Sequence, residues 1–341
     1  MNDLTQQIKS VAEHHGLYFF GSTDLNLVSE ESAFRSWIRL KKNASMDYLE
    51  KNIELRIDPS QFFSNAKSAL VFGINYGQGL KKSKITQPHI AQYAVVTDYH
   101  RLLKARLESL SMDLKTKLIF TKDTVCVDTK PVLERAIASK TTSGFIGKNT
   151  CFIHKTLGSY YLLGILITDL DSQPIQSPQP KKDGCGTCRR CQVHCPTGAL
   201  DENYQLDANL CLSYWTIENR GLIPEKFWPH LKYFWYGCDL CQMVCPYNRN
   251  VPLSREKKLG LQKIPLDQVA LMSQPQYEQF FGGTAMTRAK IFGLQRNALI
   301  ALYVSQNPII KNVAISCLKS QYPVVRDTAK AVLIKLNALA G

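Results

Sequence analysis

The sequence predicts a chain in three parts: a mixed α/β N-terminal region (1–175), a cysteine-rich α+β region (176–250) and an all-helical C-terminal region (251–341). Three observations predict this division. Short apolar runs alternate with helix-like segments in the first half, eight of the eleven cysteines cluster between Cys185 and Cys245, and amphipathic segments follow them. A hydrophobic content of 45% with 21% charged residues is typical of a soluble globular protein with a sizeable core.

The N-terminal region is predicted to be α/β from its periodicity. DLTQQIKSVAEHHG has helical spacing, and DYHRLLKARLESLSMDLKTKL repeats apolar residues three and four apart, as a surface helix does. SALVFGINYG and YYLLGILITDL are short apolar runs suited to buried strands. The stretch 172–184 is rich in Pro, Ser and Gln and predicts a linker before the first cysteine.

The C-terminal region is predicted to be a basic helical array. GLQRNALIALYVSQN and VVRDTAKAVLIKLN resemble each other and, with PIIKNVAISCLKSQ between them, are typical of stacked helical hairpins of HEAT type. From Arg249 to Gly341, thirteen Lys or Arg face four Asp or Glu, so this region carries +9 of the net +14. Such an excess favours a polyanionic partner, with a solvated positive face as the alternative.

The N-terminus and the cysteine usage indicate a cytoplasmic protein. The first thirty residues lack a basic start followed by a long apolar run, and no stretch approaches eighteen apolar residues, so we expect no membrane partner. Clustered cysteines in a reducing compartment are better explained as metal ligands than as disulfides. The isolated Cys126, Cys151 and Cys317 are assigned no special role, because such cysteines are usually small buried apolar residues.

The clustered cysteines predict a ferredoxin-like region. CGTCRRCQVHCP fits the C-x2-C-x2-C-x3-C-P run of bacterial ferredoxins, in which the fourth cysteine serves the other cluster, and a second set ends CDLCQMVCP. The spacing predicts two [4Fe–4S] clusters, one held by Cys185, Cys188, Cys191 and Cys245 and the other by Cys195, Cys211, Cys238 and Cys241. A pair of zinc sites is the alternative, but the C-x2-C-x2-C triplet favours iron and sulfur. Two adjacent clusters form an electron relay, which needs an acceptor.

The acceptor is not indicated by any nucleotide-binding motif, since neither G-x-G-x-x-G nor a P-loop is present. Seven segments occur in a specific order: LRIDPSQFF, DYHRLL, VDTKPVLERA, GFIGKN, CGTCRRCQVHCPTGAL, CLSYWTIENRG and CDLCQMVCPYN. With them the sequence resembles, over nearly its whole length, the epoxyqueuosine reductases, which carry out the last step of queuosine synthesis on transfer RNA. One departure is Thr141-Thr142, where the family pattern has Ala-Gly.

The resemblance implies a cobalamin in the N-terminal domain, related to the corrinoid domain of reductive dehalogenases. Co(I) cobalamin fed by the two clusters would reduce the epoxide of the wobble base in the anticodon loop. The D-x-H-x-x-G motif that supplies a lower cobalt ligand is missing, because Leu103 stands where its glycine would be. By resemblance, the cobalamin contacts are Arg56, Tyr99, His100, Glu134, Lys148, Asn149, Ser159, Ser213 and Arg220.

The implied reaction needs an acid. Converting an epoxide to an alkene consumes two electrons and two protons and releases water, so the departing oxygen must be protonated by a group such as a carboxylic acid of raised pKa. Glu134, which precedes Arg135 in LERA, matches the family's proposed donor, and Asp128 is the second candidate. A surface carboxylate or a salt bridge to Arg135 is the structural alternative.

The implied partners are a transfer RNA and an electron donor. Loops of RNA are bound through stacked bases and through phosphates held by Lys and Arg. The expected phosphate contacts are Arg288, Lys290, Arg296, Lys311, Arg326 and Lys330. Tyr214, Trp215, Trp228 and Trp235 lie in segments near the expected cleft, although aromatic residues of this kind belong to the core more often than to a stacking platform. We expect a flavodoxin or ferredoxin as donor and a monomeric chain.

Three other functions use some of the same features. An iron–sulfur electron-transfer protein serving another redox subunit would need the clusters alone. A nucleic-acid repair protein with a structural cluster would need one cluster and a base-flipping pocket. A corrinoid reductase of small organohalides would need neither the basic tail nor transfer RNA.

Overall fold

The computed structural model describes residues 3–80, 85–171, 184–202 and 204–338. Apart from Gly184, the predicted linker lies outside the described residues. The strands are β1 (Tyr18–Asp24), β2 (Ser68–Asn75), β3 (His89–Ile90), β4 (Asp123–Cys126), β5 (Gly144–Ile146), β6 (Phe152–His154), β7 (Tyr161–Thr168) and β8 (Phe234–Tyr236). The α-helices are α1 (Asp3–His14), α2 (Val28–Arg39), α3 (Ile53–Ile57), α4 (Tyr99–Thr116), α5 (Glu134–Lys140), α6 (Arg190–Val193), α7 (Leu240–Met243), α8 (Leu266–Leu271), α9 (Gln274–Phe281), α10 (Lys290–Val304), α11 (Ile310–Cys317) and α12 (Pro323–Ala338).

A four-stranded sheet in the order β1-β2-β7-β4 forms the centre of the N-terminal region. All neighbouring strands are antiparallel, and β2 pairs with β7 from Ser68–Thr168 to Asn75–Tyr161. Every residue of β2 is buried, as a central strand covered on both faces requires. The two apolar runs read as strands are therefore confirmed, and the region has the predicted mixed α/β content.

Helices cover both faces of this sheet. On one face α1 and α4 pack against β2 and β7, with Leu103 and Leu107 of α4 fully buried. On the other face α5 packs through Ile137 and Ala138. The Asp98 side chain caps α4 by accepting a hydrogen bond from the His100 backbone N–H. This places the first residues of α4 at one end of the sheet, near the start of α5.

The residues Thr141 and Thr142 follow α5. The Thr141 side chain is buried and donates to the Ala138 carbonyl over 2.7 Å. It packs against Gly21, whose φ of +121° is a conformation that favours glycine. The departure from the family pattern is therefore accommodated by a local hydrogen bond.

Each cysteine loop leads into a short helix, the first into α6 and the second into α7, and these two helices contact each other. Strand β3 pairs with β8 in parallel, which fastens the cysteine-rich region to the N-terminal region. The predicted domain boundaries stay a prediction.

The C-terminal helices share one core with the segment between Cys211 and Cys238. Trp228 and Trp235 are buried in this core together with Leu299 of α10 and Val332 of α12. The helices predicted from the three amphipathic segments are confirmed as α10, α11 and α12. Within the described ranges, no helix has the length and apolar character needed to cross a membrane.

Candidate active site

The first cysteine set surrounds a cavity. Cys185, Cys188, Cys191 and Cys245 line a space of about 310 Å³, although Cys245 is distant from the other three in sequence. Burial raises the pKa of the Cys245 thiol to about 11, and the neighbouring thiols of the set raise it further. The structure thus brings together the four residues that the spacing grouped.

The second cysteine set is also brought together by the fold. Burial is the largest cause that raises the pKa values of Cys238 and Cys241 well above the ordinary thiol value, and the thiols of Cys211 and Cys195 add to the effect. These four residues are therefore neighbours, as the crossed arrangement requires. In both sets, metal binding would supply the positive charge that keeps such thiols ionised.

A cleft of about 220 Å³ lies between the end of the sheet and α7. Its walls include Tyr76, Tyr99, Asp128, Glu134, Arg135, Cys151, Phe152, Ser159, Tyr161, Leu162, Leu163 and Gln242. Cys151 lies within electrostatic range of Cys191, Cys241 and Cys245. The cleft therefore borders the cysteine-rich region.

Asp128 is held by hydrogen bonds at one side of the cleft. The Tyr99 hydroxyl donates to Oδ2 over 2.8 Å, and His100 Nε2 lies 3.0 Å from the same oxygen. His100 Nδ1 lies 2.7 Å from Asp98 Oδ1. The hydrogen bond from His100 is the largest cause that lowers the pKa of Asp128, against the effect of burial. Asp128 is therefore ionised at neutral pH.

His100 contacts the carboxylates of Asp98 and Asp128 and balances their negative charge. Burial acts to lower its pKa, but the hydrogen bonds to Asp128 and Asp98 outweigh burial and raise the pKa to about 9. At pH 7 the ring is therefore an imidazolium that donates from both nitrogens. It cannot at the same time ligate a metal through either of them.

Glu134 occupies the other side of the cleft, in the first turn of α5. Its pKa is raised to about 7. Burial is the largest cause of this rise, and the charge of Asp128 contributes to it. Among the described residues, no group hydrogen-bonds to its buried Oε1. The neighbouring Arg135 donates to the Thr150 carbonyl over 2.6 Å. Two carboxyl groups in one cleft thus differ in protonation because their surroundings differ.

Three of the predicted cofactor contacts lie with these carboxyl groups. Tyr99 and Ser159 line the cleft, and the Ser159 hydroxyl donates to Gln242 Oε1 over 2.9 Å. Arg56 donates to the backbone carbonyls of Lys51 and Tyr48, and it lies within electrostatic range of Glu134 and Asp128.

Four other predicted contacts lie elsewhere. Lys148 and Asn149 line the cavity of the first cysteine set and not the cleft, because the turn between β5 and β6 faces the cysteine loop. Ser213 lies close to Cys211, since its hydroxyl acts to lower the pKa of that thiol against the effect of burial. Arg220 is exposed and donates to the Ile217 carbonyl.

The prediction that Arg296 contacts phosphate is wrong. The side chain is fully buried in α10, and its guanidinium donates to the carbonyls of Trp215, Asn219 and Gly221. It therefore stabilises the segment between Cys211 and Cys238. A basic residue in an amphipathic segment is expected on the exposed face of the helix. In α10, however, every residue from 293 to 302 is buried.

The other basic residues that were predicted to contact phosphate differ in how exposed they are. Lys290, Lys311 and Lys330 are exposed. Arg326 is half-buried and donates to the Ser320 carbonyl. Arg288 forms two hydrogen bonds to the Glu218 carboxylate, of 2.8 and 2.9 Å.

Arg288 also joins distant parts of the chain. Its guanidinium lies 5.1 Å from the centre of the Tyr48 ring, and its charge helps to lower the pKa of Asp128. It therefore lies near the cleft as well as in the C-terminal region. Of the four predicted aromatic residues, Tyr214, Trp228 and Trp235 are buried, and Trp215 packs against the same core.

Sequence reasoning missed several residues of the cleft. Tyr76, Cys151 and Gln242 line it, yet Tyr76 and Cys151 belong to no site pattern, and the motif CDLCQMVCP that contains Gln242 indicates a role only for its cysteines. The hydrogen bonds from His100 to Asp98 and Asp128 also required the fold. The one signal that was present is the D-Y-H triplet at the start of a helix, where Asp98 is a typical N-cap residue.

The paired cysteine sets and the cleft beside them define an iron–sulfur redox protein. Residues 184–248 match the family model of the 4Fe–4S double cluster binding domain, and residues 56–129 match that of epoxyqueuosine reductase QueG, DUF1730. The epoxyqueuosine reductase of Escherichia coli K12 is 32% identical over 314 residues, covering 89% of this chain and 81% of that protein.

Solved structures agree with these matches. Epoxyqueuosine reductase from Streptococcus thermophilus superposes with a TM-score of 0.86 at 29% identity, covering 99% of this chain and 94% of that one. An epoxyqueuosine reductase solved with a tRNA-Tyr epoxyqueuosine-modified stem loop superposes with a TM-score of 0.85 at 27% identity, covering 98% and 90%. The chain belongs to the epoxyqueuosine reductase family of oxidoreductases.

Proposed function

We propose that this chain reduces epoxyqueuosine to queuosine at the wobble position of transfer RNA anticodon loops, using cobalamin and two [4Fe–4S] clusters. The observation that carries the proposal is a buried carboxyl group, Glu134, whose pKa is raised to about 7, in a cleft beside two four-cysteine sets. A protein that only transferred electrons would have no use for such an acid.

The cysteine sets fit two clusters. Cys185, Cys188, Cys191 and Cys245 surround one cavity, and the match to a double-cluster family model supports iron and sulfur over zinc. Cys195, Cys211, Cys238 and Cys241 would hold the second cluster. Each cluster would carry one electron at a time, and the exposed loop around Cys188 makes the first set the entry point for electrons from a flavodoxin or ferredoxin.

The lining of the cleft suits contact with part of a cofactor that has an apolar face and a polar edge. Aromatic rings form its walls, and the buried Glu134 Oε1 has no hydrogen-bond partner within the described part of the chain. Tyr99, Ser159 and Arg56 would hold the cofactor from the sheet side. Cobalamin would supply a cobalt centre that, once reduced, acts as a nucleophile or an electron donor.

The protein's own contribution to the chemistry is a proton. Opening the epoxide leaves a negative charge on oxygen, and the Glu134 carboxylic acid donates its proton to that atom. The carbon–oxygen bond breaks as electrons enter, a second proton converts the hydroxyl to water, and an alkene remains. Asp128 stays ionised throughout, since His100 and Tyr99 both donate hydrogen bonds to its Oδ2.

The C-terminal helices would bind the transfer RNA. The relative solved with a modified stem loop supports a transfer RNA partner, and the exposure of Lys290, Lys311 and Lys330 supports the assignment of the contact to these helices. We propose that this region is HEAT-like, that the ferredoxin-like region spans 176–250, and that the chain acts as a cytoplasmic monomer.

The test is anaerobic reconstitution with iron, sulfide and cobalamin, followed by incubation with a transfer RNA that carries epoxyqueuosine. Roughly eight iron, eight sulfide and one cobalt per chain are expected, with conversion to queuosine under a low-potential reductant. Eight iron without cobalt and without conversion would instead establish an electron-transfer protein that serves another subunit.

A further inference from the structure

Asp128 presents one oxygen of its carboxylate to the cleft. The other oxygen, Oδ2, accepts from the Tyr99 hydroxyl over 2.8 Å and lies 3.0 Å from His100 Nε2. Over the ranges that the structure describes, no donor forms a hydrogen bond with Oδ1, and 61% of the side chain is exposed. Asp128 lines the cleft, so Oδ1 is an accessible acceptor within it.

The direction of this acceptor is fixed by its neighbours. The rings of Tyr99 and His100 stack with their centres 4.0 Å apart and their planes at 26°. His100 is held in turn by Asp98, the residue that caps α4, whose Oδ1 lies 2.7 Å from His100 Nδ1. Asp128 itself has a φ of +43°, a strained conformation for a residue with a side chain, and such strain is concentrated at functional sites. The carboxylate is therefore in position before any ligand binds.

The charges around Asp128 favour a cationic ligand. Asp98 and Asp128 share one imidazolium, that of His100, so two negative charges and one positive charge leave this group at −1. Among the described lysines and arginines, none forms an ion pair with Asp128. Arg135, a cation that lines the same cleft, donates instead to the Thr150 carbonyl over 2.6 Å. Because hydrogen bonds between charged groups are the strong ones, Oδ1 is best matched by an ammonium N–H.

The substrate of the proposed reaction carries such a group. In epoxyqueuosine, a secondary amine joins the epoxide-bearing five-membered ring to the base, and it is bonded to the ring carbon next to the epoxide. An alkylamine of this kind is largely protonated at pH 7. Glu134, which donates its proton to the epoxide oxygen, lines the same cleft as Asp128. One substrate ring can therefore meet both carboxyl groups, with its epoxide oxygen towards Glu134 and its amine towards Asp128.

We infer that Asp128 Oδ1 binds the protonated secondary amine of the substrate and thereby selects wobble bases that carry a cationic side chain. The inference rests on the proposed function, because it names the group by which that substrate is recognised. Asp128 is then a substrate-binding residue, and Glu134 remains the proton donor. A base with an aminomethyl group is bound more tightly than a base of similar size that has no charge at this place.

The test is binding of anticodon stem loops to the full reconstituted chain at pH 7, followed by fluorescence anisotropy. The wobble base is 7-aminomethyl-7-deazaguanine in one RNA and 7-cyano-7-deazaguanine in the other, so only the first carries an ammonium group. The wild type is expected to bind the aminomethyl RNA about tenfold more tightly, as one hydrogen bond between charged groups allows. In Asp128→Asn, the Tyr99 hydroxyl still donates to the amide oxygen, which leaves the amide NH2 in the place of Oδ1. The preference should therefore be lost.

The matched control is Asp113→Asn. Asp113 also pairs with a histidine, His15, over 2.8 Å, but it lies near the other end of α4, so this variant should keep the tenfold preference. The inference is overturned if the wild type binds both RNAs equally, a result that does not depend on the folding of any variant.

The inference is also overturned if Asp128→Asn keeps the preference. Asp128 would then contact the part of the base that both RNAs share, if the two affinities fall equally, or the cofactor, if only the cobalt bound per chain falls. A wild-type chain that binds neither RNA would instead refute the proposed function, and the inference with it.

Discussion

The cleft and the C-terminal helices both carry charged groups, but only in the cleft are these groups coupled. Asp128 and His100 shift each other's pKa values through a short contact, and the charge of Asp128 acts to raise the pKa of Glu134. In the helices, Arg296 is buried and bound to carbonyls, whereas Lys311 is exposed. The comparison shows that the role of a charged residue depends on how deeply it is buried and on which groups it contacts. A change in the cleft should alter chemistry and its pH dependence, and a change in the helices should alter stability or affinity alone.

The largest effect is expected at Glu134. Glu134→Gln keeps the shape of the side chain but removes the proton, so the rate of epoxide reduction should fall by about 10²- to 10⁴-fold, the usual contribution of a general acid. Single-turnover conversion of epoxyqueuosine-containing transfer RNA measures it. Iron content and transfer RNA affinity should stay at the wild-type level. A variant that retains most of the wild-type rate would remove Glu134 from the mechanism.

The next effect is expected on stability, at Arg296. Arg296→Met removes a fully buried guanidinium that donates to three backbone carbonyls, so the free energy of unfolding should decrease by about 3 kcal/mol. Urea denaturation measures this. Arg326→Met, at a half-buried arginine with one carbonyl partner, is the control and should cost about 1 kcal/mol. Equal losses in the two variants would contradict the supporting role of Arg296.

A smaller effect concerns pH. Because Glu134 must be protonated to act, the wild-type rate should fall as the pH rises through about 7. Asp128→Asn removes the charge that helps to raise the pKa of Glu134, so the falling limb should move to lower pH. Burial still acts, so the limb should remain above the ordinary carboxyl range. A pH–rate profile of the variant decides this, and a limb that stays in place would show that the two carboxyl groups are not coupled.

The smallest effect is expected from single exposed lysines. Lys311→Ala should weaken transfer RNA binding by a few fold and reduce the slope of log affinity against log salt by about one, as the loss of one phosphate contact does. Filter binding at several salt concentrations measures both. Lys9→Ala, at an exposed position of α1, is the control. An unchanged slope for Lys311→Ala would place the transfer RNA elsewhere.

Spacing alone was enough to group the cysteines, because a short loop fixes which thiols can meet. The secondary structure around them also followed from sequence, since β2 and β7 are apolar throughout and α4 repeats its leucines. The ligand sets remain a prediction, but the structure places their members together.

The tertiary surroundings of single residues could not be predicted in the same way. The pKa of Glu134 is raised because the fold buries this residue near Asp128, and nothing in LERA indicates that burial. Lys148 and Asn149 were expected in the cleft, but the direction of one turn aims them at the cysteine loop. Arg296 was expected at the surface, but α10 is covered on all sides over much of its length.

The central claim is that the pKa of Glu134 is raised to about 7, so that a substantial fraction of it is protonated at neutral pH beside an ionised Asp128. Infrared difference spectroscopy across a pH titration measures this directly through the carbonyl stretch of a protonated carboxyl group. The account predicts a band that disappears with a midpoint near pH 7, is absent in Glu134→Gln, and persists with a lower midpoint in Asp128→Asn. A band that is lost in Asp128→Asn but kept in Glu134→Gln would contradict the account, because Asp128 would then be the acid.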